Sequence, residues 1–124
     1  MRNYLAGFIP LCAAAGFLCL PSFAQDEGEV VNVNLKDGDL GFKELTVKSE
    51  EARFEVENGG TRQHAFELEG EIDGKKFEIA TPVLKPGEKA TIIVALPAGK
   101  YEAYCPVDDH RQRGMAGEIT FAGK

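Results

Sequence analysis

The sequence predicts an all-β fold, a Greek-key antiparallel β-sandwich of seven to eight strands. Three observations carry that prediction. Short runs alternating apolar and polar residues recur at regular spacing from residue 30 to residue 121. Turn-forming clusters separate them: Asn58-Gly59-Gly60, Asp73-Gly74, Pro86-Gly87 and Pro97-Ala98-Gly99. No stretch carries a convincing amphipathic helical period.

Taken in order, residues 30–35 (Val-Val-Asn-Val-Asn-Leu) alternate as a half-buried strand does. Residues 42–47 form a second candidate. In residues 52–56, Ala52, Phe54 and Val56 alternate with charged Arg53 and Glu55. After the Asn58-Gly59-Gly60 turn, His64, Phe66 and Leu68 share one parity, with Ala65, Glu67 and Glu69 on the other, so His64 is expected to begin a strand. Asp73-Gly74 is a hairpin signal, and residues 77–79 resume a strand beyond it. Residues 91–96 are rich in β-branched side chains. The last two runs are residues 101–105 and 118–121. The stretch Leu96-Pro-Ala-Gly-Lys-Tyr101 resembles the tyrosine corner of Greek-key proteins, in which the hydroxyl ties back to nearby backbone. Simple core filling is the other reading of Tyr101.

The N-terminus reads differently. Arg2 precedes an uncharged apolar run over residues 4–20, and Ser22-Phe23-Ala24 offers a small-x-small cleavage site. Residues 1–24 are therefore expected to be a Sec-type signal peptide cut after Ala24, with an apolar core short for a membrane span. Residues 25–124 would form one domain, with no stable membrane insertion after cleavage. Of the 14 basic residues Arg2 would leave, so 13 stand against 20 acidic ones, a net charge of −7. Such a domain repels phosphate, which excludes nucleic acid as a partner class, and favours cationic partners. Cys12 and Cys19 would also leave, and Cys105 would stand alone with no internal disulfide available to it. A lone thiol in an oxidising compartment needs something to occupy it.

Cys105, His110 and Met115 share one loop at the spacing C-x4-H-x4-M. His64, far upstream, is the only other imidazole, so every Cys, His and Met of residues 25–124 falls to one candidate site. Two His, one Cys thiolate and a weak, long axial Met form the coordination set of blue-copper electron-transfer centres. Cys105 shares its parity with Tyr101 and Ala103, which points it into one end of the sandwich. There a bound metal would stabilise its thiolate. A lone His at a strand start is ordinarily structural; His64 becomes a candidate because the set needs a second imidazole. His110 lies among Asp108, Asp109, Arg111, Gln112 and Arg113, as a solvent-edge ligand would. Gly114-Met115-Ala116-Gly117 brings the backbone close to whatever the thioether faces.

The Tyr101-x3-Cys105 strand, the C-x4-H-x4-M loop and the Gly-Met-x-Gly step before the last strand resemble the small cupredoxins, over essentially residues 30–121. The resemblance implies a cupredoxin-like sandwich with one type 1 copper per chain, held by His64, Cys105, His110 and Met115. It implies a secreted or periplasmic one-electron carrier rather than an enzyme. Its expected partners are redox proteins such as a c-type cytochrome or a respiratory or periplasmic oxidoreductase, and its expected state is a monomer. A copper-handling or metal-uptake accessory role on the same site is the alternative. Copper oxidases and nitrite reductases need a second copper site with its own histidines, and this chain has two His in all. A cysteine hydrolase lacks any recognisable nucleophile context here. The C-x4-H spacing is longer than the C-x2-H of plastocyanin-like members and nearer to that of rusticyanin, auracyanin and the plant cupredoxins. Ala65 follows His64 where the family often has an Asn that helps hold the ligand segments together. Docking is expected at the His110 end, through charges of mixed sign.

Overall fold

Eight strands, β1 (Glu29–Leu35), β2 (Glu44–Val47), β3 (Glu51–Asn58), β4 (Glu67–Ile72), β5 (Lys75–Ala80), β6 (Lys89–Ala95), β7 (Gly99–Tyr104) and β8 (Ala116–Phe121), make up the computed structural model, which describes residues 28–123. The signal-peptide reading of residues 1–24 lies outside the described residues. Among the described residues no helix is long and apolar enough to cross a membrane.

The strands form two sheets, β1-β3-β6 and β2-β8-β7-β4-β5, whose inner faces enclose the core. Alternation produces that core directly. Val31, Val33 and Leu35 of β1, with Ala52, Phe54 and Val56 of β3, turn inward while their neighbours stay outside or half-buried. The facing sheet contributes Leu68, Tyr101, Ala103, Ile119 and Phe121. Phe54 meets Phe66 at 5.5 Å between ring centroids, and Tyr101 meets Phe121 edge-on at 5.6 Å.

The all-β sandwich agrees with the sequence expectation, but the pairing is not wholly antiparallel. β1 runs parallel to β3, and β2 parallel to β8. The reason is topological. β2 lies in the other sheet, so the chain leaves β1, crosses the sandwich and returns to lay β3 in the same direction. Parallel neighbours require such a crossover and cannot be joined by a tight turn. Strand sense depends on that route, and the alternation of residues carries no record of it.

Two local expectations hold in detail. Asp73 and Gly74 both have positive φ, 52° and 79°, which suits the two-residue turn of the β4–β5 hairpin. The Tyr101 hydroxyl donates to the Pro97 carbonyl at 2.7 Å, closing the tyrosine corner. One local expectation fails. β4 starts at Glu67 rather than His64, and all five residues from His64 through Leu68 are buried. This segment runs beneath its neighbours at the end of the sandwich. His64 N–H donates to the Leu84 carbonyl at 3.1 Å and Leu84 N–H returns to His64 at 2.7 Å, while Phe66 N–H donates to Thr81 Oγ1 at 3.0 Å. Covered on both sides, it has no solvent face and loses its alternation.

Candidate metal centre

The β7–β8 connection is closed at its base by Cys105 N–H, which donates to the Met115 carbonyl at 3.0 Å. Cys105 therefore stands one residue beyond β7, at the mouth of the loop rather than inside the strand. Within the loop, successive turns are held by His110 N–H to Val107 O at 3.0 Å, Arg113 N–H to His110 O at 3.0 Å and Met115 N–H to His110 O at 3.1 Å. Asp108 and Gly114 take positive φ, 47° and 112°, where the backbone reverses. His110 and Met115 are thus joined by backbone bonds, and their relative placement is fixed.

His64 reaches the same place from the other side of the sandwich end. Its backbone is pinned to Leu84, and fully buried Asn58 secures the turn before it. The Asn58 amide donates to the carbonyls of Arg62 and Leu84, both at 2.8 Å, and its oxygen accepts from Gly60 N–H at 2.9 Å. A Cβ on Gly60 would lie 3.0 Å from His64 Nε2 and 3.0 Å from the Asp37 backbone nitrogen, so this turn passes too close for a larger residue.

All four residues singled out by the sequence converge. His64 Nδ1 lies 3.2 Å from His110 Nδ1, and Cys105 Sγ lies 3.5 Å from His110 Nδ1 and 3.9 Å from His64 Nδ1. The donor atoms of His64, Cys105 and His110 all fall within 4.8 Å of one another, an arrangement able to hold a metal ion. Met115 lines the same cleft, of about 300 Å³, with Asp37, Gly38, Arg62 and Arg113 at its rim. Cys105, Met115 and His64 are buried, and His110 is partly exposed, as its solvent-edge reading requires.

Asp37 is the residue that sequence reasoning missed. Its Oδ1 lies 2.8 Å from His64 Nε2, and its carboxylate also accepts from Thr61 N–H, the Thr61 hydroxyl at 2.5 Å and Arg62 N–H at 3.2 Å. The Thr61 hydroxyl and then the His64 ring hold its carboxyl well below the usual carboxylate range. An ionised carboxylate can only accept, so Nε2 of His64 carries the proton and Nδ1 presents a bare lone pair inward. This supplies the outer support that Ala65 does not. The contact spans 27 positions and leaves no pattern in the sequence.

The geometry tests whether a metal fits. The two Nδ1 atoms at 3.2 Å are satisfied either by one shared N–H proton or by a metal bound between them. Tetrahedral bonds of roughly 2.0–2.1 Å to nitrogen and 2.3 Å to sulfur imply N···N near 3.3 Å and S···N near 3.6 Å, close to the distances found. With Met115 as the remaining donor, the set fits one type 1 copper ion per chain.

Arg111, the residue after His110, lies along the sheet surface with its side chain 40% exposed. Its guanidinium stacks 3.8 Å from the ring centre of Tyr104, the residue before Cys105, and reaches Glu102 Oε1 at 2.6 Å. Arg113 pairs with Asp109 at 2.9 Å on the exposed side.

Residues 8–120 match the family model described as "Cupredoxin-like domain". The fold is similar to dithionite-reduced auracyanin from Roseiflexus castenholzii, at 21% identity and TM-score 0.65, covering 78% of this chain and 99% of that one. It is similar to auracyanin B at 17% identity and TM-score 0.67, covering 79% and 91%. It is also similar to part of a blue copper oxidase from Nitrosomonas europaea, at 18% identity and TM-score 0.60, covering 79% of this chain and 40% of that one. Identities this low establish shared fold alone. No curated protein matches the sequence.

Proposed function

Because this chain belongs to the cupredoxin-like domain family, we propose that it is a periplasmic or secreted one-electron carrier, not an enzyme, with copper held by His64, Cys105, His110 and Met115. The observation that carries this reading is the convergence of two Nδ1 atoms and one thiol sulfur at 3.2–3.9 Å. Bound there, copper supplies exchange of one electron between its two oxidation states.

The rest is done by the chain. Asp37 fixes the tautomer and orientation of His64. The Cys105–Met115 backbone bond and the turns around His110 fix the loop ligands. Burial of Cys105 and Met115 keeps water away from the sulfur donors, while the partly exposed His110 offers the path to a partner. Ligands pinned on rigid strand ends limit rearrangement between oxidation states, which favours fast transfer. Met115 would supply a thioether, a weak donor that would tune potential more than affinity.

The protein is a monomer in this reading and docks redox proteins, such as a basic c-type cytochrome, at the His110 end. Asp108, Asp109 and Arg113 offer the charges there. Such rim charges act mainly on association rate and are screened over about 8 Å at physiological ionic strength. Stopped-flow transfer to a cationic and an anionic cytochrome across a salt series tests this, and rates independent of salt would refute it.

The central experiment is Cu(II) titration of the metal-free protein. An intense visible band from sulfur-to-copper charge transfer is expected, at one copper per chain. A faint nitrogen/oxygen spectrum would overturn the reading. Copper handling is the second reading on the same site. Reversible voltammetry with retained copper supports the carrier, and ready loss of copper to a chelating acceptor supports delivery. Export is tested by the mass of the protein recovered from the periplasm, which should begin at Gln25.

A further inference from the structure

The core gives the ligand loop little hold. No residue between Cys105 and Met115 is buried, and Val107 packs only half-buried against the core. Backbone bonds tie His110 to Met115 and Met115 to Cys105. Among the described residues, no backbone hydrogen bond joins residues 106–113 to β7. The arm of the loop that carries His110 away from Cys105 therefore needs another fastening.

Side chains on the outer face of the sheet supply one. Tyr104 has the opposite parity to Tyr101 and Ala103 and lies outside the core cluster, yet it is only 8% exposed. The Arg111 guanidinium stacks on its ring, 3.8 Å from the centre. The same guanidinium reaches Glu102 Oε1 at 2.6 Å and Glu69 Oε2 at 3.7 Å. Glu102 and Glu69 are direct cross-strand partners of β7 and β4, and like charges so placed destabilise a sheet unless a cation joins them. The Tyr104 hydroxyl donates to Glu69 Oε1 at 2.9 Å, which closes the set. Tyr104 is the residue before Cys105, and Arg111 is the residue after His110. The contact thus spans the same interval as the two candidate ligands, from outside.

We propose that Arg111 is a positioning residue: seated on Tyr104 and bound to Glu102 and Glu69, it fastens the outer arm of the loop to β7 and so fixes His110 relative to Cys105. The proposal rests on the copper reading of His110, but the fastening itself needs no metal. Exposed ion pairs alone contribute little. A flat, weakly hydrated guanidinium on a buried ring adds attraction and also sets an angle, and a lysine would keep the charge while losing the plane. A ligand held in place beforehand loses less freedom on binding, so the clamp raises affinity for the metal.

The test compares Arg111→Ala, Arg111→Lys, Tyr104→Leu, Tyr104→Phe and the Arg111→Ala/Tyr104→Leu double variant. In metal-free protein, amide relaxation dispersion should appear over residues 107–112 in Arg111→Ala, Arg111→Lys and Tyr104→Leu, but not in wild type or Tyr104→Phe. Copper affinity, read by chelator competition, should fall about fivefold in the same three, the size of one cation–π contact at a partly exposed site. It should fall no further in the double variant, because both changes remove one contact. Tyr104→Leu keeps every charge, and its reduction potential should rise, since a loosened imidazole leaves the soft sulfur donors to favour Cu(I). A role in fold stability alone would leave that potential where it is. Circular dichroism verifies folding, and Arg111→Lys carries the test if Arg111→Ala does not fold. Full copper affinity in Arg111→Lys, losses that add in the double variant, or a loop as rigid as wild type in Tyr104→Leu would each overturn the clamp. Wild-type protein that binds no copper would sink the copper reading instead, and the metal-free loop dynamics would still decide whether Arg111 fastens the loop.

Discussion

Replacing Asp37 isolates what the outer carboxylate contributes to the copper centre. In Asp37→Ala, His64 loses its Nε2 partner at 2.8 Å, and the turn loses the contacts to Thr61 and Arg62. Freed from Asp37, the neutral ring samples both tautomers. That alone withholds the inward Nδ1 lone pair by no more than about twofold, so most of the loss comes from the unfixed ring plane. Partners of this kind are worth about 10–100-fold in metal affinity, and that is the expected loss. Asp37→Asn keeps an acceptor for Nε2 and therefore the tautomer, so its affinity should fall less. Its reduction potential should rise, because the oxidised ion carries the larger positive charge and benefits more from a nearby negative one. Chelator competition measures the affinity and voltammetry the potential. Asp37→Ala binding within twofold of wild type, or an Asp37→Asn potential that falls, would refute the reasoning. The sign for pH follows from the depressed carboxyl. Its contribution is complete above the ordinary value of 3.8 and is lost only as pH drops toward its much lower folded value, so the Asp37–His64 tie should persist in mild acid.

Cys105→Ser should abolish the intense colour with the β-sheet circular dichroism intact, whereas Met115→Gln should keep the colour and lower the potential; a coloured Cys105→Ser protein would remove Cys105 from the site. Tyr101→Phe should cost about 1 kcal/mol by deleting the bond to Pro97, a fall of ~4–8 °C in melting midpoint for a domain of this size. An unchanged midpoint would mean that the corner contributes nothing. The Glu67 contribution to stability should decline as pH rises from the ordinary Glu value of 4.5 toward its raised value, because the folded form holds that proton longer. Denaturant melts across that window should show the decline in wild type and not in Glu67→Gln.

The candidate ligands stood out because their side-chain types are scarce, and His64, Cys105 and His110 do come together. Residues 25–124 hold two His, one Cys and one Met, so few combinations of these donors were open. The strands of the first sheet were legible because one of their faces meets solvent, so Val31, Val33 and Leu35 alternate cleanly with their neighbours. The run from His64 through Leu68 misled because it is covered on both sides, and period-2 patterning records burial rather than hydrogen bonding. Asp37 was invisible for a different reason: one hydrogen bond across the sandwich end leaves no periodic trace. The stacking of Arg111 on Tyr104 was hidden likewise, since a guanidinium serves equally well in water or against a ring.

The pairing of β2 with β8 governs when this chain can become a protein at all. Glu44 finds its partner in Glu118, so the second strand to emerge from any machine that delivers the chain N-terminus first must wait for the eighth. Until then one edge of β7 is unpaired as well, and Cys105, His110 and Met115 have no loop to close. Contacts this distant in sequence are made late and slowly. In the proposed reading, folding is completed only once the whole chain is delivered, and metal capture follows it. A thiol exposed during that interval is open to oxidation, so the speed with which β8 docks sets how many chains reach copper with Cys105 intact.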